Sequence, residues 1–341
     1  MLGRAFLAAA ALAGAIFTTG AARAQQTLEA IRARGTLACG IHTGVAGFAL
    51  PDSKGVWQGL DVELCRGLAV AIFNDASRLR LVPLSSSTRF TALGSGEVDV
   101  LFRTSTQTML RDTTLGLRHA VTYFYDGHGF MVRANAGIGK VAELRDATIC
   151  LVAGTTNEQV TADYFRSINT SFKPVVFDRV DQAAAALQAG RCDAYGHDAS
   201  QLAGARATFP NPKEWLILPE RFSKEPYGAY IRRGDDQWFD VVRWYTYALI
   251  EAEEQGVTRA NAEEMRRSSA NPNTRRLLGV TPELGESIRL DRSWAFNVIK
   301  ALGHYGEIYD RTMGPDTQVG LARGPNEIWT RGGLLYALPL R

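Results

Sequence analysis

Three short stretches carry side chains that could hold a small charged molecule. Residues 104–112 read Thr-Ser-Thr-Gln-Thr-Met-Leu-Arg-Asp, dense in hydroxyls and containing Arg111. A guanidinium can grip a carboxylate through two parallel hydrogen bonds. Gly154-Thr155-Thr156 stands between an apolar run and a helix-like segment, and the free N–H groups of a helix start favour an anion. Asp198, after CDAYGH, is a candidate acceptor for an ammonium. Each also has an ordinary structural reading: a solvent-facing arginine, a helix N-cap at the two threonines, an N-cap at Asp198 for a helix through Leu202. Taken together, an anion receptor and a cation receptor suit a zwitterion such as a free α-amino acid.

A repeated pattern gives the elements that would bring these residues together. ALGSGEVDV (92–100) and ALQAGRCDA (186–194) both fit A-L-x-x-G-x-x-D, 94 residues apart, with no third copy. A tandem array would repeat more often at shorter periods, so two similar halves are expected. In each copy the pattern reads as a helix end, a tight turn and a strand start. Five residues past Asp99 is Thr104, and five past Asp193 is Asp198. Both are expected at carboxyl ends of strands, where open α/β sheets bind ligands.

The rest of the chain has the same grammar. Strands are expected at 35–40, 79–84 and 98–102 in one half, and at 147–153, 175–177 and 192–196 in the other. Between them, GLDVELCRGLAVAIF (59–73) repeats apolar residues every four positions, with Asp61 a candidate N-cap, while NEQVTADYFRSI and VDQAAAALQAG also read as helices. Alternating strands and helices predict a mainly parallel sheet in each half. Residues 129–133 and 227–233 read as the two crossovers between halves, and 238–256 and 293–306 as long helices.

Composition narrows the class. The 341 residues allow two domains; 46% are apolar and 21% charged, which is ordinary for a soluble globular chain. A basic start at Arg4, an apolar run from Ala5 to Phe17 and Ala22-Arg23-Ala24 read as a signal peptide cut after Ala24. Its removal takes the formal charge from +3 to +1, so the basic balance indicates no partner, and no Lys/Arg stripe with interleaved aromatics points to nucleic acid. No cofactor motif is evident, and the five histidines are scattered without suggesting a metal site. Cys39, Cys65, Cys150 and Cys192 allow three pairings. For a chain of two halves, Cys39–Cys65 with Cys150–Cys192 is the simplest.

At these residues the chain resembles the bacterial periplasmic amino-acid-binding proteins of polar amino acid ABC transporters, solute-binding family 3. The resemblance rests on Gly59-Leu-Asp-Val-Glu-Leu64 continuing to Ile72, Arg89-Phe90, Gly96-Glu-Val-Asp99, Arg111 and the Gly-Thr-Thr at 154–156. YDGHGFMV (125–132), GRCDAYGHDAS (190–200) and the tail NEIWTRGGLLYALP are similar to its general L-amino-acid-binding subgroup. It implies a type II two-lobed α/β fold: two mainly parallel sheets flanked by helices and joined by a two-stranded hinge. Residues 1–24 would be the signal peptide, 25–130 lobe 1, 131–229 lobe 2 and 230–341 the return to lobe 1. By matched position Arg111 would bind the ligand carboxylate, helped by Thr106 and the backbone around Thr156, with Thr104 on the main-chain groups and Asp198 on the α-ammonium. The expected partners are an L-amino acid and a membrane permease, for a monomeric protein in the periplasm. The subgroup's usual residues at 104 and 107 are replaced by Thr104 and Gln107, His197 is unusual, and Val45 stands where many relatives put an aromatic. A loosely covered side-chain end, and hence broad specificity, is expected. The competing functions are an exported dehydratase on the same fold, which needs an acid at the leaving hydroxyl, and a ligand-sensing module.

Overall fold

The computed structural model describes residues 27–281 and 283–341; the expected leader and its cleavage point lie outside them. The chain enters through α1 (Thr27–Arg34) and β1 (Leu37–His42). A small hairpin, β2 (Leu50–Pro51) and β3 (Trp57–Gln58), leads to α2 (Leu60–Phe73), β4 (Leu79–Leu84), α3 (Arg89–Ser95), β5 (Val100–Thr106), α4 (Met109–Thr114) and β6 (Leu117–Asp126). It crosses at Gly127 into β7 (His128–Arg133), then β8 (Thr148–Val152), α5 (Asn157–Ser167), β9 (Lys173–Phe177), α6 (Val180–Gln188), β10 (Ala194–Asp198), α7 (Ala199–Ala207) and β11 (Trp215–Ile217). It returns in β12 (Glu225–Arg232) and ends with α8 (Asp236–Glu254), α9 (Ala262–Ser268), α10 (Pro272–Leu277), α11 (Glu283–Ser287), α12 (Trp294–Leu302) and α13 (Tyr305–Thr312).

Two five-stranded sheets result, ordered β4-β1-β5-β12-β6 and β11-β7-β10-β8-β9. In each, three strands are parallel, and the strands that carry the chain between lobes join them antiparallel. The two segments read as crossovers are strands of opposite sheets. The chain changes lobe just ahead of each one, at Gly127 and between Ile217 and Glu225.

The repeated A-L-x-x-G-x-x-D does the same work twice. Gly96 and Gly190 take left-handed conformations, φ 84° and 71°, that end α3 and turn the chain after α6. Asp99 donates its N–H to the Ala38 carbonyl at 2.8 Å and accepts the Ala38 N–H on its carboxylate at 2.8 Å. Asp193 does the same to Thr148, at 2.8 and 2.7 Å. Each aspartate thereby sets the register of a central strand, β5 or β10, on its parallel neighbour. Disulfides Cys39–Cys65 and Cys150–Cys192 then tie β1 to α2 and β8 to the turn before β10, one within each lobe.

Two expected details differ. Asp61 is not the cap of α2; Gly59 takes that place at φ 127°, where a side chain would strike the Phe48 carbonyl, and Asp61 is buried in the helix's first turn. The single helix expected over 293–306 is broken at Gly303, φ 84°, because His304 and Glu307 form a capping box that starts α13. Beyond α13, Asn326 uses its amide to accept from the Tyr125 N–H and donate to the Tyr125 carbonyl, at 2.7 and 3.0 Å, so the tail lies against the end of β6.

Candidate functional site

The carboxyl ends of β5 and β10 face each other across the cleft between lobes. Thr104, Thr106, Arg111, Thr155, Thr156 and Asp198 all line one narrow cavity there, of about 10 Å³. Gly154 lies beside it and lets the lobes approach, since a side chain at its φ of 72° would sit 3.1 Å from the Ser86 carbonyl.

On the first lobe, β5 is distorted where it meets the cavity. Tyr227 pairs with Thr106 and Ala229 with Phe102, so two residues of β12 oppose four of β5. Thr104 sits in this bulge at φ 32°, a strained value for a residue with a side chain. Its N–H donates to the Tyr123 hydroxyl at 3.0 Å, which donates to Asp61 at 2.8 Å. That buried Asp–Tyr relay fixes the strained turn, and burial pushes the Asp61 carboxyl up to about 7. Arg111 follows on α4, whose cap is Thr108. One guanidinium N–H donates to the Thr106 carbonyl at 2.9 Å and the group lies 5.1 Å from the Phe90 ring.

Sequence reasoning missed the two neighbours of Arg111. Arg89 is buried, lies 4.4 Å from the Phe90 ring, and donates to the carbonyls of Ser86 and, across the cleft at 3.2 Å, Gly154. Arg103 is buried too and donates to the Leu84 carbonyl at 2.9 Å and the Ser86 hydroxyl at 3.1 Å. Among the described residues none of the three arginines is paired with a carboxylate. Burial lowers the affinity of all three for their protons, to about 10 for Arg103. Two buried guanidiniums, Arg89 and Arg103, and the partly buried Arg111, none of them in an ion pair among the described residues, make the cavity attractive to an anion. An arginine inside the apolar run VLFR was the available signal.

On the second lobe, Asp198 stands at the N-cap position of α7 but makes no cap bond. Asp126, from the hinge, takes over there by accepting the N–H and hydroxyl of Ser200. The Asp198 carboxylate is therefore not spent on the helix: Oδ2 accepts the Tyr227 hydroxyl at 2.5 Å, and Oδ1, at this residue of the cavity lining, has no partner among the described residues. Burial, with Glu225 and Asp126 beside it, holds its carboxyl well above the usual carboxylate range. An arriving ammonium would favour the ionised form. Among the described residues, five that line the cavity have a buried atom without a hydrogen-bond partner: Arg89 Nε, Thr104 Oγ1, His197 Nε2, Asp198 Oδ1 and Gln201 Oε1. They supply both donors and acceptors aimed at a ligand. Burial pushes His197 down to about 3, so it is a neutral hydrogen-bonding group.

Val45 and Gln107 are not in the cavity wall. Val45 is buried against Gly204 of α7 and helps seal the contact between lobes. Gln107 ties its loop to the return strand through the Pro226 carbonyl at 2.9 Å, and its amide donates to Asp112 at 2.8 Å. The expected loosening of a side-chain cover at Val45 is therefore not seen in this cavity.

Residues 37–314 match the family described as bacterial extracellular solute-binding proteins, family 3. The chain is 46% identical over 338 residues, 98% of its own length and 99% of the relative's, to the general L-amino acid-binding periplasmic protein of Rhizobium johnstonii. It is 48% identical over 337 residues, 99% of both chains, to the glutamate/glutamine/aspartate/asparagine-binding protein of Rhodobacter capsulatus. Among solved structures, an ABC transporter periplasmic binding protein from Brucella ovis with glutathione bound superposes at a TM-score of 0.91 with 48% identity, covering 93% of this chain and 99% of that one.

Proposed function

This chain belongs to the bacterial extracellular solute-binding proteins, family 3, and we propose that it is the periplasmic binding component of an ABC importer of free L-amino acids. The observation that carries this reading is the pairing of opposites across the cleft: Arg111 on one lobe and the unsatisfied oxygen of Asp198 on the other. Arg111 takes the α-carboxylate, together with the backbone at Thr106 and the start of α5. Asp198 takes the α-ammonium, beside the free Thr104 hydroxyl oxygen. Closure of the hinge buries both charges, and the closed surface is what the membrane permease reads. Of the residues lining the cavity Asp198 alone is acidic, and its role on the ammonium leaves no second acid for a leaving hydroxyl. We infer a binder, not an enzyme.

The rest of the cavity extends the reading to the side chain. Arg89 and Arg103 offer positive charge, and His197 and Gln201 offer further hydrogen-bonding groups. Amino acids ending in a carboxylate or amide fit these groups, in keeping with the ligands named for the Rhodobacter relative. The γ-glutamyl end of glutathione, found in the Brucella structure, is itself a free α-amino-acid group that the same clamp would hold.

A calorimetric screen of the twenty L-amino acids tests both levels. Glutamate, aspartate, glutamine and asparagine are expected to bind, and lysine and arginine to be at least about tenfold weaker, because like charges brought together in a dry site cost more than the ~1.4 kcal/mol that a factor of ten represents. Absence of binding by every amino acid at millimolar concentration would remove the functional reading; lysine binding as well as glutamate would remove the side-chain assignment alone.

A further inference from the structure

Glu225 is a buried carboxylate that the clamp does not use. It is the first residue of β12, where the chain re-enters the first lobe, and is 2% exposed. One oxygen accepts the hydroxyls of Thr106, at 2.5 Å, and Thr156, at 2.8 Å; the other accepts the Ser223 hydroxyl at 2.6 Å. Thr106 ends β5 in the first lobe, Thr156 stands at the start of α5 in the second, and Ser223 lies in the returning crossover. A single carboxylate thus gathers hydroxyls from both lobes and from the hinge, with no arginine or lysine in an ion pair with it among the described residues.

We propose that Glu225 is an internal latch and positioning residue: its carboxylate holds the closed lobes together through the Thr156 hydroxyl and orients the two threonines that flank the ligand's carboxylate. Each threonine hydroxyl has one proton, and Glu225 takes both. The threonines then face the cavity only as acceptors, and donors for the α-carboxylate come from Arg111 and backbone N–H groups. Because the Thr156 bond crosses the cleft and the Thr106 bond does not, the latch forms on closure and breaks on opening. It should govern how fast a ligand leaves and not how fast it arrives.

The proposal rests on the amino-acid-binding reading for its ligand but has a ligand-independent readout. L-Glutamate association and dissociation rates would be measured for wild type, Glu225→Gln, Thr156→Val and the double variant. The distance between a label on each lobe would be measured in ligand-free protein. Replacing a charge-assisted hydrogen bond should speed dissociation about fivefold to thirtyfold and leave association within about twofold. The double variant should be no faster than the faster single one, and the ligand-free lobes of either variant should be further apart on average than in wild type. If Thr156→Val had the same effect with Glu225 present or replaced, its hydroxyl would serve the ligand directly and the latch would be wrong. Unchanged dissociation rates and unchanged interlobe distance in Glu225→Gln would also overturn it. If wild type bound no L-glutamate or other amino acid, the functional reading would fail, and the interlobe distances would still decide the latch.

Discussion

Arg111→Ala is expected to weaken the binding of every amino acid this protein takes by roughly 30-fold to several-thousand-fold. That range follows from the ~2–5 kcal/mol typically lost when one member of a buried, hydrogen-bonded charge pair is truncated. Asp198→Asn should lose a comparable amount, because the ammonium then meets an amide that has donors as well as an acceptor. Arg111→Lys should also be poor: a compact ammonium cannot reproduce the guanidinium fork that also donates to the Thr106 carbonyl. Since both residues read only what all amino acids share, the losses should be similar for glutamate, glutamine and serine in calorimetric titrations. Binding within threefold of wild type by a folded Arg111→Ala or Asp198→Asn protein would refute the clamp.

The same carboxylate sets a pH dependence. Burial beside Glu225 and Asp126 raises the Asp198 carboxyl above its ordinary value, whereas a bound ammonium favours the ionised form. At a pH below that raised value the ligand-free carboxyl holds a proton that must leave on binding. Affinity is expected to fall as pH drops through the raised value and to level off above it, with proton release detectable as a dependence of the calorimetric heat on the buffer's ionisation enthalpy. Asp198→Asn should abolish that component; a profile identical in wild type and variant would mean that another group titrates.

Much of this was legible before any coordinates, for reasons that can be named. The A-L-x-x-G-x-x-D pair marks two equivalent strand ends because its glycine and aspartate do local work: a left-handed turn, and a register lock onto the neighbouring strand. Counting forward from it leads to Thr104 and Asp198, which line one cavity. What sequence could not supply was long-range. Arg89 looks like a surface arginine until Gly154 of the other lobe meets it. Glu225 and Thr106 are 119 residues apart, and no periodicity joins them. Asp61 reads as a cap in the sequence, yet with Tyr123 it holds the strained turn at Thr104. Val45 was misjudged because a position near a cleft was equated with a position in its wall. The packing partner that decides between those, Gly204, lies on the other lobe.

That glycine offers a test of closure in which stability and binding should move in opposite directions. Gly204 lies within α7, where alanine would ordinarily stabilise the helix by about 1 kcal/mol. Its Cβ would sit 2.5 Å from the Ala46 carbonyl oxygen and 2.8 Å from Val45 Cγ1, both on the facing lobe. An open cleft leaves room for the methyl; a closed one requires the Ala46 backbone to retreat, and overpacking of that kind costs about 1–3 kcal/mol. Gly204→Ala is therefore expected to melt at or above the wild-type temperature without ligand, yet to bind L-glutamate about 5-fold to 150-fold more weakly and to gain less thermal stability from it. Ligand-free stability that is kept or raised while affinity falls distinguishes this from simple misfolding, and Gly204→Val should accentuate the binding defect. If Gly204→Ala bound glutamate within twofold of wild type, the Gly204–Ala46 approach would not belong to the ligand-bound form, and closure would have to be sealed elsewhere in the cleft.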